Sequence, residues 1–312
     1  MMSKNGYNIP AKQKGCKTMI MTMRNLAVCC CMAAVTACSN LEYHPYSARY
    51  YGSEGIHAEA IRRIEEMCAG KDTICFAFIT DTQAAYDEMR DAMRFLDSRQ
   101  DVMFIVHGGD QSDFGLTKEF LWARDIMETQ TRPFVCLIGN HDCLGTGEHT
   151  FERMYGKPNF SLNAGFLHLV GLNTVALEYD YSNPVPDFTF IEDDYFRTSA
   201  LGDSITNTIV MMHAPPHDEQ FNDNVAQLFQ YCVRQYPGLR TGDMAYPDEY
   251  EDVVKAGTRM RGFCLNGHTH RTDIKHIFGD GVLYYGLTNA ADREIRIFTI
   301  TKNGYECETI DY

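Results

Sequence analysis

Apolar residues in this chain gather into short unbroken runs, and five of those runs end on residue types that bind metal. Residues 73–80 lead into Asp81. Residues 102–106 lead through His107, Gly108 and Gly109 into Asp110. Residues 134–138 lead into Gly139-Asn140-His141-Asp142. Residues 208–212 lead into His213, and 262–265 into Asn266-Gly267-His268-Thr269-His270. Such runs mark buried parallel strands, because both faces of a parallel sheet are covered. Open α/β sheets bind their ligands at the carboxyl ends of the strands. The pattern therefore predicts Asp81, Asp110, Asp142, Asn140, His141, His213, His268 and His270 along one edge of a sheet, in outline a two-metal hydrolytic site.

Between these runs the apolar spacing lengthens to three or four residues. It predicts helices over 57–69 (Ile61, Ile64, Met67, Cys68), 84–98 (Ala85, Met89, Ala92, Met93, Leu96) and 117–129 (Phe120, Leu121, Ile126, Met127). Pro133 stops the last of these before the strand at 134. The order β-α-β-α-β means a parallel sheet. The pattern then changes. Residues 160–162, 166–172 and 174–177 are short strand candidates with no helix between them, which argues an antiparallel section. Residues 178–199 are rich in Pro and acids and read as a surface loop. Helices are expected over 221–235 and 248–258. Strands are expected over 273–278, 282–285, 294–300 and 305–310, the last two split by the hairpin signal Lys302-Asn303-Gly304.

Composition narrows the partners. The 312 residues are 45% hydrophobic and 22% charged, enough for a full core, and the formal charge is −14. Nucleic acid is not an expected partner, since its backbone calls for a basic footprint. An anionic lipid surface is disfavoured for the same reason.

The first 37 residues read as a signal peptide. Lys4, Lys12, Lys14, Lys17 and Arg24 are basic with no acid among them, and 26–37 are apolar and small. That apolar stretch is too short to span a bilayer. It ends Val35-Thr36-Ala37-Cys38, which resembles the bacterial lipoprotein cleavage box, whose Cys becomes the acylated first residue; a plain secretory signal is the competing reading. Removing residues 1–37 shifts the formal charge from −14 to −19. Residues 38–56 read as a tether rich in tyrosine, and 57–312 as the catalytic domain. Of the twelve cysteines, Cys68, Cys75, Cys136, Cys143, Cys232, Cys264 and Cys307 stay with the mature chain. Their number is odd, so they cannot all pair within it. Cys75, Cys136 and Cys264 sit inside apolar runs as small core residues.

The blocks Asp81, Gly109-Asp110-Gln111-Ser112-Asp113, Gly139-Asn140-His141-Asp142, His213 and Gly267-His268-Thr269-His270 together resemble the calcineurin-like metallophosphoesterase family. The resemblance runs from residue 73 to about 300. Any one block alone could be a turn; all of them in order, each after an apolar run, is a far more specific signal. The resemblance implies an α/β fold, a four-layer αββα sandwich with mixed sheets. It also implies two divalent metal ions, of Mn, Fe, Zn or Mg, with an oxygen and imidazole donor set and no thiolate. Asp110 would bridge the ions, Asp81 and His270 would hold the first, and Asn140, His213 and His268 the second. His141 would face the leaving-group oxygen, oriented by Asp113. Asp142 would take a supporting or capping role. The implied reaction is hydrolysis of a phosphomonoester or phosphodiester by a metal-bridging hydroxide, on a small phosphorylated substrate.

One position departs from the family. Its first block is D-x-H, whereas this chain reads Asp81-Thr82-Gln83. The Gln83 amide oxygen suits a hard metal, so Gln83 joins the ligand set directly or through water. His107 reads as packing. His217 and Arg271, on strand-end loops, are candidates for substrate contact, as is His149. With the leader, the lipid at Cys38 and the following Ser39, the chain is expected on the cell envelope, anchored to the outer membrane. A surface-displayed binding lipoprotein with a degenerate metal site is the competing function, supported only by Gln83.

Overall fold

The computed structural model describes residues 49–175, 186–218, 221–239 and 261–312. The chain divides into units 1–47 and 48–312, and the described residues belong to the second. The first half alternates helix and strand: α1 (Ile56–Cys68), β1 (Thr73–Ile79), α2 (Tyr86–Ser98), β2 (Phe104–His107), α3 (Thr117–Met127) and β3 (Phe134–Cys136). A short 3-10 turn, His141–Cys143, leads to α4 (Gly147–Met154), β4 (Phe160–Ala164) and β5 (Leu167–Leu172). Then come α5 (Phe188–Ala200), β6 (Asn207–Met212), α6 (Asp223–Val233), β7 (Phe263–Asn266), β8 (Asp273–Lys275), β9 (Tyr284–Gly286), β10 (Glu294–Thr301) and β11 (Gly304–Asp311).

Two mixed sheets result, with orders β11-β10-β1-β2-β3 and β4-β5-β6-β7-β9-β8. In the first, β1, β2 and β3 are parallel and the β10–β11 hairpin adds antiparallel to β1. In the second, β5, β6, β7 and β9 are parallel, with β4 and β8 antiparallel at the edges. Alternation along each strand makes the layers. Ile74, Phe76 and Phe78 of β1 point into the core between the sheets, with Phe104, Val106, Ile209, Met211, Phe263 and Leu265. Cys75, Ala77 and Ile79 point the other way, onto α2 and α3. On the outer side of the second sheet, Val170, Leu172, Val210, Met212 and Cys264 pack under α5 and α6. Four layers, helix-sheet-sheet-helix, are the outcome. An aromatic column joins the sheets: Phe298 stacks on Phe76 at 5.3 Å and on Phe263 of the facing sheet at 4.7 Å between ring centroids. Burying each such ring stabilises the fold by about 1.5–3 kcal/mol.

Several expectations need correction. The five ligand-bearing strand ends belong to two sheets, β1–β3 to one and β6–β7 to the other, rather than to one sheet edge. Much of the stretch expected as a loop over 178–199 is helix α5. Its inward positions are Ile191, Asp194, Tyr195 and Thr198, so polar residues interrupt the apolar stripe. Asp187 caps it by accepting from the Phe190 N–H at 3.0 Å. Buried Asp194 is satisfied by the Ser161 hydroxyl at 2.6 Å, His168 at 2.9 Å and the Tyr236 hydroxyl at 2.9 Å. Thr174 and Val175 are not strand; the Thr174 hydroxyl accepts from the Ala214 N–H at 3.0 Å. Helix α4 was unmarked in the sequence. The helix expected over 248–258 lies outside the described residues. All seven described cysteines are free. Among the described residues no helix is long and apolar enough to cross a membrane.

His57 closes the core at the α1 end. Its Nε2 accepts from the Cys136 N–H at 3.1 Å among Tyr155 and Phe160. Burial pushes its pKa down to about 3. A depressed pKa means that stability is complete above pH 6.5, where the unfolded chain is also neutral. It drains away as pH falls toward 3, because only the unfolded chain takes the proton. We expect the unfolding free energy from urea titrations to fall across that window by roughly a few kcal/mol, and His57→Gln to flatten the slope. A slope identical in the variant would remove His57 from the acid response.

Candidate metal centre

The ligand side chains reach the site because the backbone turns abruptly where each strand stops. Asp81 (φ 52°), Asp110 (φ 57°), His268 (φ 67°) and His270 (φ 49°) are all in the left-handed region, where a non-glycine residue is uncommon. Gly139 makes room for this: a Cβ there would lie 2.1 Å from Asp110 Oδ1. At Gly267 a Cβ would lie 2.5 Å from Asp81 Oδ2. Glycine is required at both because backbone must pass directly behind a ligand carboxylate.

Asp81, Asp110 and His213 are buried, and ligand atoms of the three lie within 4.8 Å of one another. On one side, His270 Nε2 is 3.2 Å from Asp81 Oδ1. On the other, Asn140 Oδ1 faces His268 Nδ1 at 2.9 Å and His213 Nε2 at 3.1 Å. Asp110 Oδ1 accepts from the His141 N–H at 2.9 Å, so Oδ2 is its open oxygen. Oδ2 lies 3.3 Å from His213 Nε2 and 3.4 Å from Gln83 Nε2, between the two groups of ligands.

The ring nitrogens show what belongs there. His213 Nδ1 donates to the Gly108 carbonyl at 2.8 Å, which turns Nε2 toward the site's oxygens. His268 Nε2 lies 3.3 Å from Asp218 Oδ2, and its Nδ1 faces Asn140. Asn140 Oδ1, Asp110 Oδ2, His213 Nε2 and His268 Nδ1 thus converge on one another, an arrangement that calls for positive charge among them. Electrostatics agree. Burial alone would lower the His213 pKa, yet Asp110 and Asp81 push it up to about 10. The carboxyl of Asp81 is held below its usual range: burial opposes this, and His213, His270 and the Thr80 hydroxyl outweigh it. The residues fit a site for two divalent metal ions, one beside Asp81 and His270, one among Asn140, His213 and His268.

A family profile described as calcineurin-like phosphoesterase matches residues 75–272. The chain belongs to the calcineurin-like phosphoesterase family. Membership makes it a hydrolase of phosphoester bonds. The fold is similar to that of a dimetal phosphatase from Danio rerio (12% identity, TM-score 0.53, 77% of this chain and 99% of that one). It is also similar to PhoD (7% identity, TM-score 0.55, 77% of this chain and 66% of that one). No curated protein sequence matches.

Around this phosphoesterase centre the remaining candidates take distinct places. His141 Nδ1 lies 2.8 Å from the backbone carbonyl of Asp113 and 3.5 Å from its carboxylate, so the main chain supplies the closer contact. Burial acts to lower the His141 pKa; the Asp113 carbonyl, then Asp110, Asp113 and Asp142, raise it overall. Asp142 is a clasp between loops. Its Oδ1 accepts from the N–H groups of Gln111 (3.0 Å) and Ser112 (2.9 Å) and from the Ser112 hydroxyl (2.8 Å), and its Oδ2 accepts from the Gly139 N–H (3.0 Å). Burial, then Asp110, push its pKa up to about 7 against those donors. His107 is buried, with Nε2 2.9 Å from the Thr82 hydroxyl, and burial pushes its pKa down to about 4, as a neutral packing residue requires. Gln83 Oε1 is buried without a hydrogen-bond partner while its Nε2 points at Asp110. Rotating the amide by half a turn presents that oxygen to the site. His217 Nε2 accepts from Lys275 Nζ at 2.7 Å, and Arg271 is exposed beside His270. His149 is exposed on α4.

Asp218 escaped the sequence reading, although it stands five residues after His213 on the same loop; only its contact with His268 reveals it. Asp218→Asn is expected to weaken one of two metal equivalents by about 10–100-fold, with Asp218→Glu restoring part of the loss. Titration against a chromophoric chelator reads this directly. Two unaltered equivalents in Asp218→Asn would show that His268 needs no carboxylate behind it.

Proposed function

We propose that this chain hydrolyses a small phosphomonoester or phosphodiester at the two-metal site. The observation that carries the reading is the convergence of Asp110 Oδ2, Asn140 Oδ1, His213 Nε2 and His268 Nδ1 beside two buried carboxylates. Asp81, His270 and Gln83 would hold one ion, Asn140, His213 and His268 the other, and Asp110 Oδ2 would stand between them. When bound, the two ions would supply a nucleophile at neutral pH and neutralise charge on the phosphoryl oxygens. His141 gives its Nδ1 proton to the Asp113 carbonyl, so Nε2 is the atom that can donate to the leaving oxygen. Its raised pKa favours the protonated ring that this role needs. Asp113 holds that ring in register, and the Asp142 clasp fixes the loops carrying Asp110 and Asn140. His217 and Arg271 would contact the substrate from the rim. An intact His141–Asp113 pair supports turnover over a binding-only role.

The test is hydrolysis of aryl mono- and diester phosphates with Mn, Fe, Zn and Mg in turn. Activity abolished by chelator and restored by one of these metals is the expected result; no hydrolysis with any of them would sink the reading. His141→Ala should lower kcat by about 10²–10⁴-fold and keep both metals. Asp110→Asn should lose metal and turnover together. Equal metal depletion in the two variants would make His141 a ligand.

We further propose that the mature chain begins at Cys38, carries lipid there and works on the cell envelope, at the outer membrane. The Val35-Thr36-Ala37-Cys38 box behind a basic and apolar leader supports this. Substrates would then be those of that compartment. Cys38→Ala should release the protein from the membrane fraction or block its processing. Normal cleavage with unchanged membrane association would rule out the anchor.

A further inference from the structure

On the loop after Asp113 and on helix α3 that follows it, two aromatic rings stand partly in water. Phe114 is 56% exposed and Trp122 is 45% exposed. Phe114 directly follows Asp113, whose carbonyl holds His141. Its loop is held in place by backbone contacts. The N–H groups of Phe114 and Leu116 both donate to Glu119 Oε2, at 3.0 and 3.1 Å. Gly115 (φ 64°) passes so close to Leu144 that a Cβ would lie 1.9 Å from its carbonyl oxygen. Tyr86 ties this loop to its neighbour. Its hydroxyl donates to the Gln111 carbonyl at 3.1 Å, and its ring meets Trp122 edge-on at 5.7 Å. Burial, then the charges of Glu119, Asp142 and Asp113, raise the Tyr86 pKa. Lys118 Nζ lies 5.2 Å from the centre of the Trp122 ring.

An aromatic ring left about half in water contributes only part of its apolar area to the fold. It offers a face for stacking, with little entropy left to lose on binding. Its position gives the direction. If His141 serves the leaving-group oxygen, whatever is attached to that oxygen extends past His141 toward Asp113 and Phe114. We infer that Phe114, with Trp122 and Tyr86, forms a shelf for a planar aromatic ring on the leaving group. The substrate class is then a phosphate ester of an aryl or nucleoside alcohol. The inference rests on the phosphoesterase reading and on His141 facing the leaving group.

Two measurements test it separately. The first compares the parent with Phe114→Ala and Phe114→Leu on phenyl phosphate, adenosine 5′-monophosphate and glycerol phosphate. Phe114→Ala should raise KM for the two aromatic esters about 10-fold and change glycerol phosphate by less than about 2-fold, with Phe114→Leu in between. Equal changes on all three, or none, would overturn the shelf. A larger effect on the nucleotide assigns the ring to a nucleobase, and a larger effect on phenyl phosphate to an aryl group; both support the shelf. The second measurement needs no turnover. Trp122 is the chain's sole tryptophan, so intrinsic emission reports on the shelf directly. In the zinc-loaded protein, phenylphosphonate should quench that emission and methylphosphonate should not. An equal response to both, or to neither, would overturn the inference. Quenching by phenylphosphonate with no hydrolysis of any ester would count against the reaction and leave the shelf standing.

Discussion

Two carboxylates held together out of water govern this structure. Asp81 and Asp110 are buried, and with His213 they bring ligand atoms within 4.8 Å of one another. Buried like charges repel strongly where the local dielectric is low, and they persist only if positive charge is supplied. The high pKa of His213 is one sign of that demand. The convergence of ligand atoms around Asn140 is the other. A proton on His213 meets the demand in part; divalent cations meet it in full and give the site its chemistry. The acidity of the whole chain has no bearing on this local requirement.

Holding that arrangement costs backbone strain. Four ligand residues adopt left-handed conformations, each costing about 1–2 kcal/mol relative to a right-handed one. Such strain persists only where the surroundings over-determine it. Here the surroundings are the two sheets, joined through the Phe76, Phe298 and Phe263 rings, and the Asp142 clasp between the β2 and β3 loops. The sandwich is thus the rigid frame that lets loop residues keep costly conformations. Glycine at 139 and 267 completes the frame, because any side chain there would occupy the space of a ligand oxygen.

Gln83 stands where the family's first block has imidazole. Its amide already points at Asp110, and its buried oxygen lacks a partner within the protein. The second group of ligands is independent of it, built from β3, β6 and β7 ends. The contact between Asp218 and His268 strengthens that second group from a loop that also carries His213.

The apolar runs determined the strands, because a strand covered on both faces has no freedom to be polar. The ligand types at their ends determined the chemistry, since oxygen and imidazole donors without thiolate suit hard and borderline cations. The β1-α2-β2-α3-β3 order determined the parallel pairing. Tertiary structure alone decided the rest. Helix α5 was hidden because its inward face carries Asp194 and Thr198, residues that become acceptable in a core only once Ser161, His168 and Tyr236 arrive from elsewhere. That the ligands come from two facing sheets, that Asp142 is a clasp, and that Asp218 stands behind His268 all depend on contacts between residues 30 or more apart in the chain. Periodicity is a local signal and carries a residue's own burial. Which distant group satisfies a buried charge is fixed only when the sheets close on one another.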